Sequence, residues 1–171
     1  MDRPVSGVVL FAKTSKALPR LNKMFAEHNK VNKTYWAIVQ NRPQEPQGTL
    51  THWLTRQEKN NTARAYDREV PGAKKAVLDY RLIASGERYH LLEIHLHTGR
   101  HHQIRCQLAK IGCPIKGDLK YGAPRSNPDG SISLHARNLA LEHPVSHENI
   151  SVTAPVPNDM LWQALSRGRT K

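Results

Sequence analysis

Residues 75–84 (KAVLDYRLIA) and 88–97 (RYHLLEIHLH) alternate apolar and polar side chains, and only the three residues SGE lie between them. Two runs of period two joined by a short turn-forming segment define an antiparallel hairpin. In the second arm Leu92, Ile94 and Leu96 fall on one face, and Glu93, His95 and His97 on the other. The chain is therefore built on a sheet, and its 38% hydrophobic residues over 171 positions suffice for one ordinary core. A single domain spanning residues 1–171 is expected.

Other segments supply further elements. SGVVLFAK (6–13) is β-branched and apolar enough for a buried strand, and Ser15 is placed to cap the helix that follows. In that helix Ala17, Leu18, Leu21, Met24 and Phe25 recur at helical spacing, a core-facing stripe rather than a cofactor box. KTYWAIVQ (33–40) reads as a second strand, closed by the Pro- and Gly-punctuated NRPQEPQG. Residues 50–70 are polar, and EKNNTARAYD reads as a loop or a loosely held hairpin tip. Ile104, Leu108 and Ile111 begin a helical pattern after Thr98 and Gly99, and Gly112 and Pro114 end it.

Charge narrows the partner. There are 26 Lys and Arg against 14 Asp and Glu, a formal +12, spread along the chain rather than gathered in a tail. A surface of this kind favours a polyanion, and nucleic acid needs only well-placed Lys and Arg for most of its affinity. No apolar run approaches the length of a membrane span and no signal-peptide pattern is present, so a cytoplasmic protein is expected. Cys106 and Cys113 are too few for a disulfide framework and read as packing residues.

The densest chemistry lies in LHTGRHHQIRCQL (96–108), where Arg100, His102, Gln103 and Arg105 fall within six positions across a strand-to-helix junction. Free backbone N–H groups and the helix dipole at such a junction favour an anion. His102 and Gln103 serve equally well as buried hydrogen-bonding residues. His95, His97, His101 and His102 crowd the same region, and His95 with His97 shares a strand face as a metal pair would. No Cys, Asp or second His pair completes a ligand spacing, so no metal site is expected.

Three motifs, taken together, resemble those of the RluA-type pseudouridine synthases. DRPVSG (2–7) is similar to the end of that family's motif His-Arg-Leu-Asp, two variable residues, Thr-Ser-Gly, with Val5 in place of the Thr. Lys33, Tyr35 and Ala37 match Lys-x-Tyr-x-Ala, and residues 96–105 match Leu-x-Thr-Gly-Arg-x-His-Gln-Ile-Arg at every defined position. The likeness continues through GCPIKGDLKYG (112–122), LHARNLALEHP (134–144) and TAPVPNDM (153–160), in the family's order.

The resemblance implies an α+β fold, a twisted, mixed but largely antiparallel sheet with packed helices and a cleft across its face. It implies isomerisation of uridine to pseudouridine in ribosomal or transfer RNA, without metal or other cofactor. Asp2 takes the place of the catalytic carboxylate, Arg105 that of its bidentate partner, and Tyr35 that of the ring on the base. Arg3, Thr98, Gly99, Arg100, His102, Gln103 and Ile104 are the accompanying substrate-binding candidates. Met1 stands where the family has Leu, so the His and Arg before it, and the strands upstream, have no counterpart in this sequence. A C-terminal portion and a reduced protein both fit that start, and a catalytically silent RNA-binding remnant is the competing reading. Whether Asp2 and Arg105 meet separates the two. A monomer is expected, with association through an exposed sheet edge as the alternative.

Overall fold

The computed structural model describes residues 2–27 and 30–168. In chain order they form β1 (Ser6–Gly7), α1 (Ala17–Ala26), β2 (Val31–Val39), β3 (Gln47–Gln57), β4 (Thr62–Tyr66), β5 (Lys74–Ser85), β6 (His90–Leu96), α2 (Gln103–Lys110), β7 (Leu134–Glu142), β8 (Asn149–Thr153) and α3 (Met160–Arg167). All eight strands join one sheet in the order β1-β7-β2-β6-β5-β3-β4, with β8 also on β7. Only β1 runs parallel to its neighbour, with Ser6 opposite His135, so the sheet is mixed and largely antiparallel. No helix among the described residues is long and apolar enough to cross a membrane.

The period of two sorts side chains into two cores. On one face Ala37, Val39, Leu78, Leu92 and Ile94 pack with Ile104 and Leu108 of α2 and with Val5 and Leu134. On the other, Trp36, Ile38, Ile83 and Leu91 pack with Trp162 and Leu165 of α3. Consecutive residues of β2 thus enter opposite cores, and each fully buried Leu or Ile contributes roughly 1.5–3 kcal/mol. The 75–97 hairpin forms as expected, with Leu82 opposite Leu92 and Tyr80 opposite Ile94. A bulge between Leu82 and Ala84 shifts the phase, which buries both Ile83 and Ala84. Cys106 and Cys113 are free and buried.

Four local expectations need correction. Pairing at the N-terminus ends after Gly7, and Val9, Leu10 and Phe11 are exposed, because the chain leaves β7 there instead of continuing along it. Thr14, not Ser15, caps α1: its Oγ1 accepts the Ala17 N–H at 3.1 Å, while Lys16 occupies the cap position without a side-chain bond. Leu18 is exposed, so the stripe of α1 that packs is Leu21, Met24 and Phe25, against Val31, Leu139 and Leu141. Of the two readings of EKNNTARAYD the loop fails and the hairpin holds: β3 and β4 pair from Trp53–Tyr66 to Gln57–Thr62 around a 3-10 turn at Glu58–Asn60, so more of residues 50–70 is strand than a loop would allow. Ala63 and Ala65 bury against Cys106 of α2, and this tertiary cover holds a hairpin whose sequence is otherwise polar.

Candidate active site

A cleft of about 130 Å³ opens where β1, β2, β6 and the start of α2 converge, lined by Asp2, Val5, Tyr35, Leu96, Arg100, His102, Gln103, Ile104, Arg105 and Leu134. Asp2 is brought there by a tied-down segment. Val5 N–H donates to the Asp2 carbonyl at 3.1 Å, Ile132 N–H donates to the Pro4 carbonyl at 3.1 Å, and Val5 is buried in the main core. Ser6 Oγ then meets His135 Nδ1 at 2.8 Å. Gly7, at φ +121°, is needed for the close approach: a Cβ there would stand 2.2 Å from the Ala136 carbonyl oxygen.

Arg105 sits in the first turns of α2, and its guanidinium Nη1 donates to Asp2 Oδ2 at 3.2 Å. The bidentate partner is another residue. Nε and Nη2 donate to Oδ2 and Oδ1 of Asp118, both at 2.8 Å, so Asp118 takes the fork and leaves one N–H arm for Asp2. Burial alone would lower the Arg105 pKa, but the bonds from Asp118 and then Asp2 outweigh it and raise it above its ordinary value. The pair is thus a fixed cation beside a partly exposed carboxylate.

His102 completes the cluster. It caps α2 in the left-handed region, at φ +53°, and places Nε2 3.3 Å from Asp2 Oδ2 and Nδ1 2.7 Å from the Tyr121 hydroxyl. The Tyr121 ring also lies under the Arg105 guanidinium, 5.1 Å to the ring centre. Burial first, then the charges of Arg105, His101 and Lys120, push the His102 pKa down to about 4 against the opposing pull of Asp2.

Tyr35 lines the cleft from β2 at a register shift against β7 between Thr34 and Tyr35, the kind of irregularity that re-aims a side chain. Its phenol pKa is raised, by burial and then by Asp2, which keeps the hydroxyl protonated. Ile104 closes the apolar floor. Gln103 is a brace: its Oε1 accepts from Thr98 Oγ1 at 2.8 Å and Arg100 N–H at 2.9 Å, and its Nε2 donates to the Val77 carbonyl at 3.1 Å.

Three candidates fall outside the cleft. Arg3 is exposed and does not line it. Thr98 is consumed in the brace to Gln103 and to Val77 N–H, at 2.9 Å. Gly99 faces a neighbouring groove of about 280 Å³ with Arg56, Lys74 and Arg100. Arg100 touches both spaces, its Nε held by the Lys75 carbonyl at 2.9 Å. His95 and His97 project from the opposite face, where His97 pairs with Asp79 at 2.6 Å and His95 with Glu93 at 3.3 Å. Among the described residues no group of three or more His, Cys, Asp or Glu is arranged to hold a metal ion.

Sequence reasoning missed Asp118 and Tyr121. Both lie in the irregular stretch GCPIKGDLKYG, where no periodicity marks a direction. The available signal was an acidic residue next to a glycine in a loop otherwise rich in Lys, and Gly117, at φ +88°, is required because a Cβ would come within 2.7 Å of the Asn127 amide.

Comparison with known proteins identifies the family. The family described as RNA pseudouridylate synthase matches residues 1–110. A Bacillus subtilis protein named as an uncharacterized RNA pseudouridine synthase is 36% identical over 162 residues, covering 94% of this chain and 52% of that protein. The tRNA pseudouridine synthase C of Vibrio parahaemolyticus is 34% identical over 183 residues, covering 96% of this chain and 72% of its own. In structure, human RNA pseudouridylate synthase domain containing 1 superposes with a TM-score of 0.70 at 24% identity, over 90% of this chain and 65% of that one, a likeness of fold. The chain belongs to the RNA pseudouridylate synthase family, and its relatives are of the RluA type. It spans about half the length of relatives such as the Bacillus subtilis protein, at 52%, and a Synechocystis protein, at 48%.

Proposed function

We propose that residues 1–171 act as one catalytic domain that isomerises uridine to pseudouridine in ribosomal or transfer RNA, as a cytoplasmic monomer. The observation that carries this reading is the 3.2 Å bond between Arg105 Nη1 and Asp2 Oδ2 in a cleft that also holds Tyr35. A silent remnant has no reason to keep the two together.

The reaction breaks the bond from uracil N1 to ribose C1′, turns the base and joins C5 to C1′; C5 loses its proton and N1 gains one. Asp2 supplies the carboxylate, as nucleophile or as counter-charge to the positive charge that develops on the reacting substrate. Arg105 supplies a fixed positive partner to that carboxylate as a substrate displaces water. Tyr35 stacks on the uracil and, as a neutral phenol, lies where it can assist proton movement at C5. The uridine has to leave its stack to enter the cleft, at a cost of a few kcal/mol that phosphate contacts offset. Arg3 and Arg100 belong to those contacts, and the net charge of +12 supports them.

Release of tritium from RNA labelled at uridine C5 tests the reading. The protein is expected to release it and Asp2→Asn to release none; equal release, or none from either, contradicts it.

A further inference from the structure

Asp2 has two carboxylate oxygens, and the protein treats them differently. Oδ2 is within 3.2 Å of Arg105 Nη1 and 3.3 Å of His102 Nε2, whereas Oδ1 accepts no hydrogen bond among the described residues. What His102 can offer to Oδ2 is decided on its far side. The Tyr121 oxygen accepts the Ala63 N–H at 2.8 Å, and its other short contact is His102 Nδ1 at 2.7 Å. A phenol has one proton, and with the Ala63 N–H pointing in, that proton points to Nδ1. Nδ1 is then an acceptor, and the ring proton of the neutral imidazole resides on Nε2, facing Asp2.

We propose that Tyr121 and His102 are positioning residues for the reaction: Tyr121 fixes the Nε2–H tautomer of His102, which together with Arg105 Nη1 pins Oδ2 of Asp2 and leaves Oδ1 as the oxygen presented to the substrate. This rests on the reading of Asp2 as the catalytic carboxylate. Two donors on one oxygen stop rotation of the carboxylate and keep the lone pairs of the other free, and orientation of that kind is a large part of what a site contributes to rate. Nη1 and Nε2 lie 3.3 Å apart, within hydrogen-bonding reach: a ring with its proton on Nδ1 would accept from Nη1 there, whereas with the proton on Nε2, as the Tyr121 contact requires, both groups donate to Oδ2.

The surroundings hold the ring neutral. Asp2 favours a charge on His102, but burial and the cations Arg105 and Lys120, with His101 stacked at 3.9 Å, oppose it, and its pKa falls to about 4. Burial pushes the Tyr121 phenol up to about 12, so its proton stays in place at any working pH. His102 sits at the strand-to-helix junction, Tyr121 follows Asp118 by three residues, and Asp118 holds the Arg105 fork. One short loop therefore orients both donors that face Asp2.

Long-range proton–nitrogen spectra of the whole chain labelled with ¹⁵N-histidine read the tautomer directly, with the His102 ring identified as the one missing from His102→Gln. At pH 7 the ring is expected as neutral Nε2–H, and Tyr121→Phe is expected to mix or invert the tautomer and to lower kcat about tenfold with KM little changed. His102→Gln, whose amide N–H can replace Nε2–H, is expected to retain more activity than His102→Ala, although both carry the same backbone strain. A wild-type ring in the Nδ1–H or doubly protonated form overturns the proposal, as does Tyr121→Phe with unchanged spectrum and kcat. Should Tyr121→Phe not fold, the wild-type spectrum and the Gln and Ala pair decide it, equal rates in the pair counting against it. The expected spectrum with no pseudouridine made by any form overturns the catalytic reading of Asp2, and the positioning role with it.

Discussion

Asp118 and Arg105 are joined by two parallel hydrogen bonds of 2.8 Å between side chains only 1% and 7% exposed, and this fork, not Asp2, takes the flat edge of the guanidinium. Asp2 receives the remaining arm. The carboxylate that faces the cleft is therefore held by one bond from a cation that a second, buried carboxylate keeps in place.

Removing one partner of such a pair leaves a buried charge uncompensated, which costs about 3–5 kcal/mol. Asp118→Asn is expected to lose roughly 3 kcal/mol in urea unfolding, and pseudouridine formation is expected to fall by about 100-fold or more as Arg105 turns from Asp2. A variant with unchanged stability and rate would show that the fork is not what holds Arg105.

Gly7→Ala separates the site from the rest of the fold. Its Cβ would collide with the Ala136 carbonyl at 2.2 Å, which breaks the two-residue pairing of β1 with β7 and frees the segment carrying Asp2. The expected outcome is a loss of about 1–3 kcal/mol in thermal or urea unfolding, with activity falling below a tenth of wild type. Full activity would mean that Asp2 does not depend on β1.

Stability should fall with pH through the histidine range. The unfolded chain protonates His102 near pH 6.5 and the folded one only near 4, so in between it is the unfolded state that binds the extra proton. The contribution is complete above pH 6.5 and is lost as pH drops toward 4, up to about 3 kcal/mol for this buried ring. His52 and His135, whose pKa values burial also lowers, act in the same direction. Melting of wild type and His102→Gln at pH 7.5 and pH 5 checks this: the wild type should lose more, and parallel losses would count against a neutral His102.

Tyr35→Phe keeps the ring and removes the hydroxyl. If that hydroxyl assists the proton at C5, kcat should drop by about 100-fold with KM nearly constant, whereas Tyr35→Ala should raise KM as well. Steady-state rates on one RNA substrate separate the two, and a Phe variant as fast as wild type would reduce Tyr35 to stacking.

Where a period was present, the fold was legible. The 75–97 hairpin follows from alternation and α2 from helical spacing, while β2 is a run of β-branched and aromatic residues that enters both cores. The failures have local causes. Residues 8–13 look like a strand, but beyond the Val8 N–H bond to the Ala136 carbonyl they pair with no strand among the described residues, and their exposed Val9, Leu10 and Phe11 show apolar sequence without cover. The polar β3–β4 hairpin is held by Ala63 and Ala65 packing on α2, a tertiary effect. Helix α3 has a signal in its sequence, an Asp159 cap whose Oδ1 accepts from Leu161 and Trp162 N–H ahead of Trp162 and Leu165, but one short enough to be hidden in the Pro-rich segment before it. At the site, a resemblance indicated Asp2, Tyr35 and Arg105, and the fold brings them to one cleft. Asp118 and Tyr121 lie in irregular chain, where a partner is set by the path of the loop and leaves no trace in spacing.

The central claim is that this chain forms pseudouridine through Asp2, and the most direct measurement is site-resolved pseudouridine mapping of total RNA incubated with the purified protein or its Asp2→Asn variant. The account predicts new pseudouridines at discrete positions with the wild type and none with the variant. No new pseudouridine with the wild type, or the same positions modified by Asp2→Asn, would contradict it.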